Sequence, residues 1–196
     1  MIVNNLYTKN NIQEKYIDKN FIKKFSKNFN KIFEEINNDI NDSNKTLNML
    51  SNNFEFSIKI KNLQKFKKYK SIAMIGMGGS ILGAEAITKF LEKKIKKKIY
   101  FFDNLDLKQI SDFKKKKNFN NILFLIISKS GNTIETLSNF LALKIIKKNA
   151  KNIILISEKK DNFLFSLSKK FNLFYIEHKN YIGGRYSVLS EVGIIP

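Results

Sequence analysis

The glycines of this chain mark the places where a ligand could bind. All eight lie in three short stretches, "GMGGSILG" (residues 76–83), "SKSGNTIET" (residues 128–136) and "GGRYSVLSEVG" (residues 183–193). Glycine lets the backbone turn sharply and approach a ligand closely. These three stretches are therefore the candidate functional site.

The first stretch follows the strand-like "SIAMIG" and leads into a helix predicted from Ser80 to about Lys93. Its backbone N–H groups and the helix N-terminus are suited to an anion. A dinucleotide is the competing ligand, but the G-x-G-x-x-G spacing fails because Ile81 stands at the third glycine position. Asp103, after the second predicted strand, is where a ribose-binding acid would lie, so that alternative stays open.

The second stretch offers hydroxyl groups and one cation. Ser128, Ser130 and Thr133 supply the hydroxyls and Lys129 the charge. Asn132, with a glutamate three residues later, predicts an N-cap with its capping-box partner, which places the loop at a helix N-terminus facing an anion. The alternative is a well-capped helix with ordinary turn residues.

Short apolar runs alternate with helical segments and predict the elements that position these stretches. The five predicted strands are "SIAMIG", "KIYFFD", "NILFLIIS", "NIILIS" and "NLFYIE". Apolar strands alternating with helices indicate a three-layer α/β fold, doubly wound around a parallel five-stranded sheet. With the strand order 2-1-3-4-5, the crevice opens between strands one and three, so the first two stretches would meet there around a phosphate.

Two helices are predicted from apolar residues at helical spacing. From Ile22 to Ile40 the spacing gives one apolar stripe and predicts a packing helix, and Ile134, Leu137, Leu141 and Ile145 predict a second buried face. The first helix belongs to an N-terminal helical extension, residues 1–60, ahead of the α/β domain at residues 61–196.

Composition limits the function classes. The formal net charge is +19, but the lysines are spread over almost every segment and no nucleic-acid motif accompanies them, so no nucleic-acid partner is expected. The longest apolar run, "ILFLII", is too short to span a bilayer, and no membrane partner is expected. With no signal-peptide core and no cysteine, the chain is predicted to be cytoplasmic.

Together and in this order, the three stretches resemble the sugar-isomerase (SIS) fold and, more narrowly, the N-terminal half of the glucose-6-phosphate isomerase family. The first two alone would indicate only an SIS domain, whereas the arginine after paired glycines resembles the phosphoglucose isomerases. The resemblance implies an isomerase of glycolysis and gluconeogenesis that interconverts glucose 6-phosphate and fructose 6-phosphate through an enediolate. It implies no metal, no organic cofactor, and a homodimer in the full-length form.

The resemblance also implies residue roles. Gly79, Ser80, Ser128, Lys129, Ser130 and Thr133 would hold the sugar phosphate, with Gly184 keeping the backbone close to it. Arg185, the only arginine of the chain, would stand beside the reacting carbons, because an always protonated planar guanidinium stabilises enediolate charge better than an ammonium does.

Several family features are not matched. The second SIS domain, with its catalytic glutamate, ring-opening histidine and lysine, has no counterpart, so the chain is expected to be partial and to turn over little alone. Glu191 and His178 stand at the wrong motif positions and are given no catalytic role; His178 is expected to be a solvated or turn residue. The alternative function is a non-catalytic SIS module that binds a sugar phosphate as a signal.

Overall fold

The protein folds around one five-stranded parallel sheet. The computed structural model describes residues 19–116 and 118–196. The strands are β1 (Ser71–Ile75), β2 (Lys98–Phe102), β3 (Ile122–Ile127), β4 (Ile153–Ser157) and β5 (Phe174–Glu177). Their order, β2-β1-β3-β4-β5, confirms the predicted doubly wound α/β sheet.

The central strands are buried because their sequences are apolar throughout. Every residue of β3 and β4 is buried, as are four of the five residues of β1. Ile75 pairs with Ile126 in the parallel register, so β1 and β3 end side by side. Apolar clusters cover both faces of the sheet, which is the arrangement expected for a parallel sheet between helices.

The described α-helices lie before, between and after the strands. They are α1 (Lys19–Asn41), α2 (Leu82–Phe90), α3 (Leu107–Lys116), α4 (Ile134–Ala142), α5 (Phe163–Phe171) and α6 (Glu191–Ile194). A 3₁₀ turn at Gly78–Ser80 precedes α2, which therefore begins two residues later than predicted and ends earlier.

The apolar face predicted for α4 is only partly buried: Leu137 packs against the core, and Ile145 is buried in it. The helix ends at Ala142, and Lys144 adopts a left-handed conformation with φ of 53°, so Ile145 lies beyond it. Ile134 and Leu141 are exposed, whereas Thr136, Asn139 and Phe140 are buried. The core therefore contacts a face of α4 that lies next to the predicted one.

The predicted N-terminal helix is present, but its apolar stripe does not pack as expected. In α1, Phe25 and Phe29 are 60% and 54% exposed, and Ile32, Phe33 and Ile36 are also exposed. Their spacing correctly predicted a helix, but these exposed side chains do not belong to either core cluster. The side chain of Ile22 lies outside the described residues.

No described helix is both long and apolar enough to cross a membrane.

Candidate active site

The site lies at the carboxyl ends of β1 and β3, where two loops leave neighbouring strands. We call residues 76–80 the glycine loop and residues 128–133 the hydroxyl loop. The glycine loop borders the end of β3 directly, since a Cβ on Gly76 would lie 3.1 Å from the Ile127 carbonyl oxygen. The structure therefore brings the two predicted anion-binding loops together at the switch point of the sheet.

The hydroxyl loop folds into a compact ring of side-chain oxygens. Ser128 Oγ lies 2.8 Å from Thr133 Oγ1, and Ser130 Oγ lies 3.4 Å from each of them. The Gly131 N–H donates to Ser128 Oγ, and the Asn132 N–H donates to Ser130 Oγ. Ser130 is exposed and Thr133 half-buried, whereas Ser128 is only 1% exposed, so an anion would contact Ser130 and Thr133 first. A hydroxyl that donates within the ring would have to turn outwards to bind it, because each hydroxyl has one proton.

The predicted capping box is wrong. Thr133, not Asn132, is the N-cap of α4, and no side chain caps the helix. Asn132 Oδ1 instead accepts from the Phe163 N–H at 2.8 Å and so ties the loop to α5. The N-terminal N–H groups of α4 therefore have no side-chain acceptor of their own, which suits them to an incoming anion.

Gly131 fixes the shape of the hydroxyl loop. Its φ is +71°, and a Cβ there would lie 1.9 Å from Asn162 Oδ1. Asn162 is buried and donates from Nδ2 to the Glu158 carbonyl oxygen at 2.7 Å. The loop after β4 thus supports the hydroxyl loop through close backbone packing that only glycine permits.

Lys129 is placed beside a carboxylate that the sequence analysis did not include in the site. Its Nζ lies 3.5 Å from Glu158 Oε1, and Lys160 contacts Glu158 Oε2. Burial alone raises the pKa of Glu158, but the two ammonium groups outweigh it and hold that pKa below its ordinary value. Glu158 follows β4 at the same edge of the sheet, and this position was the signal that could have identified it.

The third stretch packs onto the glycine loop. We call the 3₁₀ helix Gly184–Leu189 the arginine segment. A Cβ on Gly79 would lie 2.1 Å from the Gly184 carbonyl oxygen, and Ser187 Oγ lies 3.1 Å from the Gly79 carbonyl oxygen. Gly79 is therefore needed because the two backbones approach each other closely there. Ser80 lies in the same turn and is half-buried.

Arg185 is exposed on this segment. The described residues supply it with no ion-pair partner within 4.0 Å, so its guanidinium can pair with an anionic ligand. Gly184 is half-buried, and a Cβ on it would meet nothing within 4 Å. The structure thus gives Gly79 a clear packing reason for being glycine and gives Gly184 none.

His178 and Glu191 are both buried, which corrects the expectation for His178. Its side chain is only 1% exposed, and neither ring nitrogen has a hydrogen-bond partner among the described residues. Burial lowers the pKa of His178, and the nearby Glu191 carboxylate opposes that shift in part. Neither residue is accessible to a substrate.

Comparison with known proteins shows the family of the chain. Residues 26–196 match the family model described as phosphoglucose isomerase. The chain belongs to the phosphoglucose isomerase family. It is 37% identical over 139 residues to a probable glucose-6-phosphate isomerase of Methanococcus maripaludis, covering 66% of this chain and 32% of that protein. It is 36% identical over 141 residues to the glucose-6-phosphate isomerase of Borreliella afzelii, covering 66% of this chain and 26% of that protein.

Solved structures share the fold of this phosphoglucose isomerase family member. A hypothetical protein of Thermus thermophilus matches with a TM-score of 0.60 at 23% identity, covering 69% of this chain and 33% of that one. A glucose-6-phosphate isomerase of Chlamydia trachomatis matches with a TM-score of 0.56 at 24% identity, covering 66% and 26%. The chain therefore has the sugar-isomerase fold and spans about a third or less of the relatives and structures named here.

Proposed function

We propose that this chain contributes the sugar-phosphate site of an aldose–ketose isomerase that interconverts glucose 6-phosphate and fructose 6-phosphate. The observation that supports it best is the meeting of three segments at one edge of the sheet. The hydroxyl loop offers an anion cradle, and the arginine segment packs against the adjoining glycine loop. One end of a small phosphorylated molecule would bind the cradle while its other end lies near Arg185.

In this proposal the phosphate binds the hydroxyl loop. Ser128, Ser130 and Thr133 donate from their hydroxyls, the N-terminal N–H groups of α4 add backbone donors, and Lys129 adds positive charge. A phosphate monoester carries nearly two negative charges at neutral pH. Each charge-assisted hydrogen bond contributes about 1.5–3 kcal/mol, so several of them would fix the phosphate and orient the sugar.

Arg185 acts at the reacting carbons. Removal of a proton from the carbon next to the carbonyl group, which is C2 of the aldose or C1 of the ketose, leaves an electron pair. This pair develops as negative charge on the carbonyl oxygen and gives an enediolate. A guanidinium beside that oxygen stabilises the charge without giving up its own proton. Movement of the hydroxyl proton from the oxygen on one of these carbons to the oxygen on the other, together with return of the abstracted proton to the other carbon, completes the exchange of aldose and ketose.

The proton itself needs a carboxylate other than the two that are buried near these loops. Glu191 is fully buried and accepts from Ser57. Glu158 is paired with Lys129 and Lys160. We therefore propose that neither is the base, and that the residues named here supply binding and charge stabilisation.

Calorimetry tests this proposal. Fructose 6-phosphate is expected to bind the 196-residue chain, unphosphorylated fructose is not, and the Ser128→Ala/Lys129→Ala double variant is expected to lose the binding. Lys148→Ala, an exposed lysine at a distance in sequence, is the control for lost charge. A folded chain that binds the sugar phosphate equally well with and without the double substitution would overturn the proposal.

A further inference from the structure

A buried carboxylate lies directly behind the arginine segment. Glu191, the first residue of α6, is 0% exposed. Its Oε1 accepts from the Ser57 N–H at 2.8 Å and lies 2.9 Å from the Ser57 hydroxyl. A carboxylate that has lost its hydration requires such donors, so the position of Glu191 depends on Ser57.

Ser57 belongs to the polypeptide that leads from α1 to the sheet, and that polypeptide contacts this region at further points. The Ser57 hydroxyl also lies 2.5 Å from the Glu177 carbonyl oxygen. The Thr46 hydroxyl donates to the Tyr181 carbonyl oxygen at 2.6 Å, and the Lys179 ammonium donates to the Glu55 carbonyl oxygen. Residues 46–57 therefore hold the stretch from β5 to α6 through these hydrogen bonds.

The two buried serines that precede Glu191 in the chain, Ser187 and Ser190, connect α6 to the backbone beside Arg185, whereas the Glu191 carboxylate itself bonds only Ser57 among the described residues. The Ser190 hydroxyl donates to the Ser187 carbonyl oxygen at 2.7 Å and, as N-cap of α6, accepts from the Val192 N–H. Ser187 Oγ lies 2.7 Å from the Gly184 carbonyl oxygen. Ser187, Ser190 and Glu191 are all at most 2% exposed, while Arg185 is exposed.

We propose that Glu191 is a positioning residue that couples the polypeptide before the sheet to the arginine segment and so fixes the direction in which Arg185 reaches the substrate. This inference rests on the role proposed above for Arg185. Glu191 touches no substrate in this account; it acts by holding the C-terminal end of the segment, just as the contact of Ser187 with Gly79 holds its beginning.

Amide hydrogen exchange measured by NMR on the 196-residue chain tests the inference. Glu191→Ala removes the acceptor for Ser57 and is expected to speed exchange in the arginine segment about tenfold, while the amides of β3 stay unchanged, because local opening is independent of the core. Ser57→Ala leaves the backbone donor in place and is expected to give a smaller increase, about threefold.

Two matched variants separate positioning from general damage. Glu191→Gln keeps an amide oxygen that can accept from Ser57, so it is expected to restore slow exchange. Glu177 is exposed and contacts Ser57 only through its main-chain carbonyl oxygen, which Glu177→Ala keeps. This variant is therefore expected to leave the exchange rates of the arginine segment unchanged. If Glu191→Ala fails to fold, Ser57→Ala decides, because Ser57 is exposed and its truncation leaves no cavity.

Ligand titrations on the same samples distinguish this inference from the proposed function. Inorganic phosphate is expected to bind wild type and Ser57→Ala alike, because the hydroxyl loop is unaffected, whereas a five-carbon aldonic acid 5-phosphate, whose carboxylate mimics the enediolate, is expected to bind Ser57→Ala more weakly. Unchanged exchange in the arginine segment of Ser57→Ala, together with equal affinity for both ligands, would overturn the positioning role. A wild-type chain that binds neither ligand would refute the proposed function, and the exchange rates would still decide whether Glu191 holds the segment.

Discussion

The chemistry proposed for this site depends on Arg185. The chain has 36 basic residues and Arg185 is its only arginine. A lysine ammonium is a compact, strongly hydrated charge, whereas a guanidinium is planar and offers parallel donors to two oxygens. An enediolate presents two adjacent oxygens, so the difference between these cations matters at this position more than at a phosphate contact.

Arg185→Lys is therefore expected to affect the affinity for the substrate and the affinity for a mimic of the enediolate differently. A five-carbon aldonic acid 5-phosphate places a carboxylate where the enediolate charge develops, and its affinity is expected to fall about tenfold or more, since loss of a charge-assisted hydrogen bond costs about 1.5–3 kcal/mol. The affinity for fructose 6-phosphate is expected to change little, because its phosphate binds elsewhere. Calorimetry with both ligands measures this.

Tyr186→Phe, at the exposed neighbouring position, is the control. An equal loss for both ligands in Arg185→Lys would show that the residue contributes only general binding, contrary to the proposal.

Glu158 is expected to weaken phosphate binding. Its carboxylate neutralises part of the positive charge of Lys129 and Lys160 beside the hydroxyl loop. Glu158→Gln removes a negative charge near a dianion, so inorganic phosphate is expected to bind several-fold more tightly at low salt, with the gain shrinking as salt increases.

Glu34→Gln removes an exposed carboxylate on α1 and serves as the charge control in the same titrations. Weaker phosphate binding by Glu158→Gln would contradict this prediction and would mean that Glu158 mainly orients Lys129.

At the scale of elements, the sheet could be predicted and the helix ends could not. The strands β3 and β4 are unbroken runs of β-branched and other apolar residues, so sequence alone located them to within a residue or two. The end of α4 depends on Lys144 adopting a left-handed conformation, which its residue type does not indicate. The burial of His178 likewise arises from tertiary packing of residues distant in sequence.

The hydroxyl loop was predicted from its composition, but its supporting contacts were not. The pairing of Asn132 with the Phe163 N–H and the fit of Asn162 against Gly131 join residues about thirty positions apart. A local capping pattern such as Asn132 with Glu135 has the same sequence form whether or not a more distant donor competes for the side chain. Only the fold decides between them.

Gly131→Ala is expected to disrupt the hydroxyl loop. The positive φ and the collision with Asn162 both oppose a methyl group, so the free energy of unfolding is expected to fall by more than the roughly 1–2 kcal/mol that a left-handed alanine alone costs. Phosphate binding is expected to be lost at the same time. Urea denaturation and calorimetry measure the two effects.

Gly78→Ala is the matched variant, since Gly78 also has a positive φ, +51°, but a Cβ there meets nothing within 4 Å. Equal destabilisation by the two substitutions would mean that the contact with Asn162 contributes nothing.

At the scale of the whole molecule, the single histidine makes stability depend on pH in a defined direction. The unfolded chain takes up a proton on His178 near its ordinary pKa of about 6.5, whereas burial lowers the pKa in the folded chain. Between these two values the unfolded state binds more protons, so the free energy of unfolding is expected to fall as pH decreases below about 6.5 and to level off below the folded pKa.

Denaturation curves from pH 7.5 to 5 measure this slope, and His178→Gln is expected to reduce it. An NMR titration of the one imidazole reports the folded pKa directly; a value at or above the ordinary one would contradict the account.

The chain matches the phosphoglucose isomerase family over residues 26–196 and brings the three glycine-containing stretches to one edge of its sheet. We propose that a single sugar phosphate spans the hydroxyl loop and Arg185. Because the chain has one arginine, its side-chain Nε–H gives one NMR signal that reports this residue alone.

The most direct test is therefore to follow that signal and the amides of residues 128–133 while titrating inorganic phosphate and then fructose 6-phosphate. Phosphate is expected to shift only the hydroxyl-loop signals, whereas fructose 6-phosphate is expected to shift both these and the Arg185 Nε–H with one common dissociation constant. Fructose 6-phosphate that shifts the hydroxyl loop and leaves Arg185 unchanged, or that shifts neither, would contradict this proposal.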